Sequence, residues 1–405
     1  MGNIAGRKPV HGRRLTVLIA PDSFKGSLTS VAVARALADG WARARPADTI
    51  LLCPLADGGE GTLEAVAAAG GWEWQEAQIL GMDFEPRMAR WLWAEAGHRA
   101  VVELAQASGL SHIGPDDVGP TLRTTHGTGQ LLEAVIDRGA RSITLGIGGS
   151  ATNDGGSGIL QAVGARLLDE DGAPTVEERT PTPPILFHTI ARVDLTGIDR
   201  RLGETDLQVA CDVSNPLLGL TGATAIYGPQ KGVGRKDRRV LEIELEALAD
   251  ALEAAAGRHE RDTPGAGAAG GVGFGLLAIQ DRFRSFALRP GIDLVMEATA
   301  FEAKLAKADL VITGEGRIDA QTAFGKTALG VAQRAAQAGV PCIAVGGGVE
   351  PEGIDALAAV DAVAVPVVER PQSVEDAMSA GPGPVARCGE RLARLVSIGL
   401  LPPAA

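Results

Sequence analysis

Cysteine is scarce in this chain, with four among 405 residues at positions 53, 211, 342 and 388. They form no C-x-x-C and no Cys/His cluster, which excludes a zinc module and a dense disulfide frame and points to a reducing compartment. Aromatic residues amount to 3%, with a single tyrosine, too few for the stacking platforms that bind single-stranded nucleic acid. Basic character is lacking as well. The net charge is −12, and since nucleic acid and anionic membrane surfaces both need a clustered basic face, neither is the expected main partner. No run approaches 18 uninterrupted apolar residues, and the opening "MGNIAGRKPVHGRRL" has no apolar core of a secretory signal. Residues 1–13 are therefore read as a disordered extension, and the expected location is cytoplasmic.

What is present is an ordinary globular mixture of 45% apolar and 22% charged residues. The length allows two or three domains of about 100–200 residues each. From residue 14 the pattern is strand, loop, helix. "RLTVLIAP" is the short apolar run of a buried parallel strand, "SLTSVAVARALADGWARA" has helical spacing, and "TILLCPL" and "TLEAVAAAG" repeat the pair. The same grammar returns in "ADLVITGEG", "VPCIAVGGG" and "VDAVAVPVV". Between them lie alternating strands such as "RMARWLWAE", glycine-rich loops, a proline-rich segment and a long charged helix around "DRRVLEIELEALADALEAAAG". This ordering predicts an α/β fold of two domains. A Rossmann-like parallel-sheet domain, discontinuous over 14–82 and 290–400, holds an inserted mixed α/β domain over 83–289, with the active site in the cleft between them.

The densest glycine stretch is "GIGGSATNDGGSG", Gly146 to Gly158, between the strand-like "RSITL" and the helix-like "GILQAVGARLL". Strand, glycine loop and helix aim backbone N–H groups at an anion; the same glycines also serve a chain that needs only tight turns and close packing. Gly146 to Ala151 matches the dinucleotide pattern G-x-G-x-x-G/A, but there the helix must open at once, whereas "TNDGG" intervenes. "AQTAFGKT" nearly matches a P-loop. Its preceding strand is expected to end near Thr313, with "GEGRID" between, so Lys326 is read as opening a helix beyond a loop.

Carboxylates sit in bends that follow predicted strands: Asp22 in "APDSFKGS", Asp57 and Glu60 in "ADGGEGT", Asp212 in "CDVSNPLLG", Glu315 and Asp319 in "TGEGRIDAQT". In open parallel sheets such bends gather where ligands bind. Acids there suit Mg²⁺ bridged to phosphates, or a base for a hydroxyl, while singly each is as well explained as a cap or turn residue. Lys25, Lys231 and Lys326 occupy the same kind of turn, where a flexible cation neutralises phosphoryl oxygens, although a lone lysine is usually solvated surface. His126 in "TTHGTGQ" is read as a structural hydrogen-bonder, and "PGAGAAGGVGFG" as a close-packed loop or helix start.

Taken together and in order, "APDSFKGSLTS", "PLADGGEGT", "GIGGSATNDGG", "CDVSNPLLG", "YGPQKG", "GAGAAGG" and "DLVITGEGRIDAQTAFGK" resemble the bacterial glycerate kinase family that lacks a P-loop, from about Thr16 to the last helix. The resemblance implies ATP- and Mg²⁺-dependent phosphorylation of D-glycerate, usually to 2-phosphoglycerate, on two α/β domains. On that reading Asp212, Lys25 and Lys231 are catalytic, and Asp22, Ser23, Asn215 and Gly267 bind the substrate. Gly148, Gly149, Ser150, Asn153, Asp154, Glu315 and Lys326 bind the nucleotide, and Asp57, Glu60 and Asp319 the metal. The chain departs from the family pattern at Ala328, where proline is common, and at Tyr227, where phenylalanine is; both are read as peripheral. The rival readings are an NAD-dependent oxidoreductase acting on a hydroxy acid and a catalytically silent nucleotide sensor on the same fold.

Overall fold

The structure is a computed structural model that describes residues 13–398, apart from 116, 177–179, 321 and 323–326. Its strands are β1 (Thr16–Pro21), β2 (Thr49–Leu52), β3 (Glu73–Leu80), β4 (Pro86–Ala94), β5 (Arg99–Glu103), β6 (Ser142–Gly146), β7 (Arg166–Leu168), β8 (Arg192–Asp194), β9 (Asp206–Ala210), β10 (Ser285–Arg289), β11 (Leu310–Ile318), β12 (Cys342–Val349) and β13 (Ala362–Pro366). They divide between two compact units. The first comprises Met1–Asp57, Glu64–Gly70 and Val295–Ala405, the second Gly58–Leu63 and Gly71–Leu294.

In the first unit five parallel strands run in the order β13-β12-β11-β1-β2. Val17, Leu18, Ile19 and Ala20 of β1 are all fully buried, as expected of a strand covered on both faces. On one face the core contains Val33, Leu37 and Trp41 of the helix Ser30–Ala44 and Cys388, Leu392 and Val396 of the helix Gly383–Ser397. Glycine lets these two helices touch: a Cβ on Gly40 would lie 1.8 Å from the Ala386 carbonyl oxygen, and one on Gly389 would lie 2.4 Å from that of Leu37. The strand expected to stop near Thr313 continues to Ile318, because Glu315, Arg317 and Ile318 stay in register with Gly346, Gly348 and Val349 of β12. Glycines that read as loop are in the sheet, and a Cβ on Gly347 would meet the Gly316 carbonyl oxygen at 2.5 Å. Chain order reverses between β1 and β11, with β2 on one side and β12 and β13 on the other.

The second unit is built on a mixed sheet, β10-β9-β6-β5-β4-β3, in which β10, β9, β6 and β5 are parallel and β4 and β3 antiparallel. Because β3 pairs along its whole length with β4, the break between units falls near residue 71, not after 82 as the sequence suggested, and the return falls after Leu294 rather than at 289. Its long helix Arg235–Ala256 buries Leu241, Leu245, Leu248 and Leu252 along one stripe. No described helix is long and apolar enough to cross a membrane, and the four cysteines are free thiols.

Candidate active site

In open α/β sheets ligands bind outside the carboxyl ends of the strands, where the chain order reverses. In the first unit that point is the end of β1 and the middle of β11. Asp22 directly follows β1, and its amide donates to the Gly314 carbonyl at 2.8 Å. The residue is 7% exposed, and its carboxylate accepts from the Ser23 amide at 2.5 Å and from the Thr327 hydroxyl at 2.6 Å. Burial, and then the charge of Asp57, push the Asp22 carboxyl above its usual range. Asp57 lies beyond β2 and pairs at 3.3 Å with Lys25, whose side chain is exposed. Asp57 first, with Asp22 and Glu315 assisting, raises the Lys25 ammonium above its ordinary value.

Glu315, within β11 itself, is buried and accepts from the Thr322 hydroxyl at 2.7 Å. The Asp319 amide donates to the same hydroxyl at 3.1 Å, and its carboxylate lies 3.5 Å from Arg317. Asp22, Ser23, Lys25, Asp57, Glu315 and Asp319 thus collect at one end of one sheet. Lys326 lies outside the described residues; the next residue, Thr327, opens the helix Thr327–Gln337, and Ala328 is wholly buried in its first turn.

In the second unit the bends follow neighbouring strands, since Glu103, Gly146, Ala210 and Arg289 stand in register at the ends of β5, β6, β9 and β10. The loop after β6 does not run straight into a helix, which opens only at Ser157; the dinucleotide pattern therefore lacks its geometry. Many of the glycines serve close approach of main chains. The Gly148 amide donates to the Gly58 carbonyl at 3.2 Å, and a Cβ on Gly148 would lie 2.6 Å from the Gly59 Cα. Further along, a Cβ on Gly270 would meet the Thr152 carbonyl oxygen at 2.1 Å, and one on Gly271 the Gly155 Cα at 2.6 Å. Three glycine segments interlock. Gly149 stands apart, exposed and with a positive φ of 72° that favours glycine.

The polar residues of that loop are bound inward. Asp154, fully buried, accepts from the Thr125 amide and hydroxyl, both at 2.7 Å, and from the amides of Gly156 at 3.1 Å and Gly158 at 3.3 Å. Burial pushes its carboxyl upward and these donors pull it back. Asn153 donates to Thr224 at 2.9 Å. Lys231, expected to face a phosphate from a turn, is 1% exposed, and its ammonium donates to the Ser150 hydroxyl at 2.8 Å and the Thr152 carbonyl at 2.7 Å. Burial lowers the Lys231 pKa to about 7, with Asp154 opposing and Arg123 assisting.

Beyond β9 the exposed Asp212 accepts from the Gly291 amide at 2.8 Å. Asn215 donates to the Thr221 carbonyl at 2.8 Å and accepts from the Tyr227 hydroxyl at 2.7 Å. Tyr227, read as peripheral, therefore sets the orientation of an amide assigned to the substrate. A Cβ on Gly267 would lie 2.2 Å from the Pro216 carbonyl oxygen, so this glycine holds the same bend close. Glu60 is exposed in its turn.

Sequence reasoning missed Thr327, Thr322, Thr125 and, above all, Arg123. The signal for Arg123 was slight, a lone cation in the uncharged run "PTLRTTHGTG". It is 2% exposed, and buried arginine is almost always paired.

Two α/β units carry acids and cations at the carboxyl ends of parallel strands, where open α/β sheets hold small ligands, and the arrangement is that of a small-molecule enzyme. Comparison with known proteins makes this particular. The model of the glycerate kinase family matches residues 17–397. The chain is 44% identical to a glycerate kinase of Halalkalibacterium halodurans, over 90% of this chain and 94% of that one. It is 37% identical to the glycerate 2-kinase of Escherichia coli, over 95% and 99%. A crystal structure of a glycerate kinase 2 from Salmonella typhimurium superposes with a TM-score of 0.82 at 38% identity, covering 96% of this chain and 99% of that one. The chain belongs to the glycerate kinase family.

Proposed function

We propose that this protein transfers the γ-phosphoryl group of ATP to the 2-hydroxyl of D-glycerate, giving 2-phosphoglycerate and ADP. The observation that carries the reading is the family match over residues 17–397, which takes in every charged bend described above. The 2-position is supported by the glycerate 2-kinase among the relatives.

In an in-line displacement the hydroxyl oxygen bonds to the γ-phosphorus as the bridging bond to ADP breaks, and the protein supplies position and charge rather than covalent chemistry. Asp212, exposed and anchored by Gly291, accepts the hydroxyl proton. Asn215, oriented by Tyr227 and Thr221, and Asp22, Ser23 and Gly267 shape the place of the glycerate. Lys25, exposed beside Asp57, would neutralise phosphoryl oxygens, and Lys231 would support the glycine loop from inside. By family resemblance the nucleotide is assigned to Gly148, Gly149, Ser150, Asn153 and Asp154, and to Glu315 and Lys326, the last outside the described residues.

For Mg²⁺ the donors are hard carboxylate oxygens. Among the described residues no group of three His, Cys, Asp or Glu stands ready to hold a metal. Mg²⁺ normally takes only one or two carboxylates, plus phosphates and water, and Asp57 with the nearby Asp22 fits that need; Glu60 and Asp319 are the further candidates. When bound, the ion offsets charge on the phosphate oxygens. The test is ADP release and ³¹P NMR with ATP, Mg²⁺ and D-glycerate. ADP release no greater than in a glycerate-free control rejects the kinase, and 3-phosphoglycerate alone rejects the position. Asp212→Asn is expected to lose about 10²–10⁴ in kcat; near-wild-type turnover removes Asp212 from its role.

A further inference from the structure

We propose that Arg123, in the loop before the helix His126–Asp137, is a positioning residue that fixes the Lys231 turn against the glycine loop. Its guanidinium forks. Nε lies 3.1 Å from both carboxylate oxygens of Asp117 and Nη2 2.5 Å from one of them, while Nη1 donates to the Ala151 carbonyl at 3.0 Å and to the Lys231 carbonyl at 2.6 Å. Lys231 closes the ring from its other end, its ammonium on Ser150 and Thr152, the two neighbours of Ala151. Three consecutive loop residues are thus gripped by two cations, and one cation holds the main chain of the other.

A single planar fork that reaches a carboxylate and two carbonyls is what arginine provides and lysine does not. Arg123 and Lys231 are buried and Asp117 lies half-buried beside them, and inside a protein a mispaired group is expensive and geometry is correspondingly sharp. Two charges act on the Lys231 ammonium: Asp154 favours its charged form and Arg123 disfavours it. Arg123 therefore holds the main chain that carries this amine and, ranking after burial and the opposing Asp154, adds to the lowering of its hold on a proton. That role in catalysis rests on the kinase reading; the effect on Lys231 does not.

The experiment uses the full chain in three forms, wild type, Arg123→Lys and Arg123→Gln, each first checked for a cooperative thermal transition. Lys231 is followed by NMR on ¹³Cε-lysine-labelled protein, its signal assigned by its loss in Lys231→Met. Its midpoint is expected to rise in Arg123→Gln and to stay near the wild-type value in Arg123→Lys. In the glycerate assay kcat/KM is expected to fall about 100-fold in Arg123→Gln and about 10-fold in Arg123→Lys, which keeps the charge without the fork. An unmoved Lys231 midpoint in folded Arg123→Gln overturns the proposal, as does wild-type kcat/KM in Arg123→Lys. If Arg123→Gln does not fold, Arg123→Lys decides by activity. If wild type releases no glycerate-dependent ADP, the kinase reading fails and the NMR comparison alone judges Arg123.

Discussion

Single residues here do more than their local sequence announces. The single tyrosine, Tyr227, carries one hydroxyl, and that hydroxyl fixes Asn215. Tyr227→Phe should raise the KM for glycerate about fivefold, the loss of one hydrogen bond of about 1 kcal/mol, with kcat changed less than about twofold; steady-state kinetics checks this. Lys231 titrates near 7 when folded, below the 10.5 of an ordinary lysine. The unfolded chain therefore holds the extra proton between those values, and stability must rise with pH across that window, by up to ~1.4 kcal/mol per unit. Lys231→Met should lack that rise, seen as a flatter plot of thermal midpoint against pH from 7 to 9. That acids and Lys25 stand in bends beyond strands was legible because turn chemistry and charge are local, whereas the burial of Lys231 was not. Arg123 was not, because its partner Lys231 lies 108 residues away and only the fold joins them.

At the scale of elements, glycine is the recurring device, and it does two different things. In the loops it lets three segments lie main chain on main chain; between helices it lets Ser30–Ala44 and Gly383–Ser397 touch at Gly40 and Gly389. Gly148→Ala and Gly40→Ala should each destabilise by about 1–3 kcal/mol through overpacking against backbone that has nowhere to go. Gly114→Ala, where an added Cβ meets nothing within 4 Å, should be neutral by the same thermal measurement. The sequence could show that glycine was abundant, but whether a glycine faces a ligand or another glycine depends on the neighbouring segment. The same limit explains β11: its glycines read as a loop because propensity is local, whereas pairing with β12 carried the strand on to Ile318.

For the whole molecule, the alternation of apolar runs and helical stretches was enough to suggest two α/β units with the first interrupted in sequence. What it could not show was the ownership of β3, because a strand does not disclose its partner until β4 is beside it. The division makes a prediction. Residues 71–294 carry a complete sheet and its own core, and as a fragment should unfold cooperatively by circular dichroism. Residues 295–405 alone should not, since Leu310, Val311 and Ile312 would face water where β1 belongs; adding residues 13–70 should restore the transition.

That arrangement also has a meaning for synthesis. Ala20 and Thr313 are bonded neighbours in the finished sheet although 293 residues apart along the chain. At about 5–20 residues per second, the ribosome delivers β11, the neighbour on the side of β1 away from β2, only after roughly 15–60 seconds. During that interval β1 has β2 on one side only, and its other edge stays open to a wrong companion until β11 arrives.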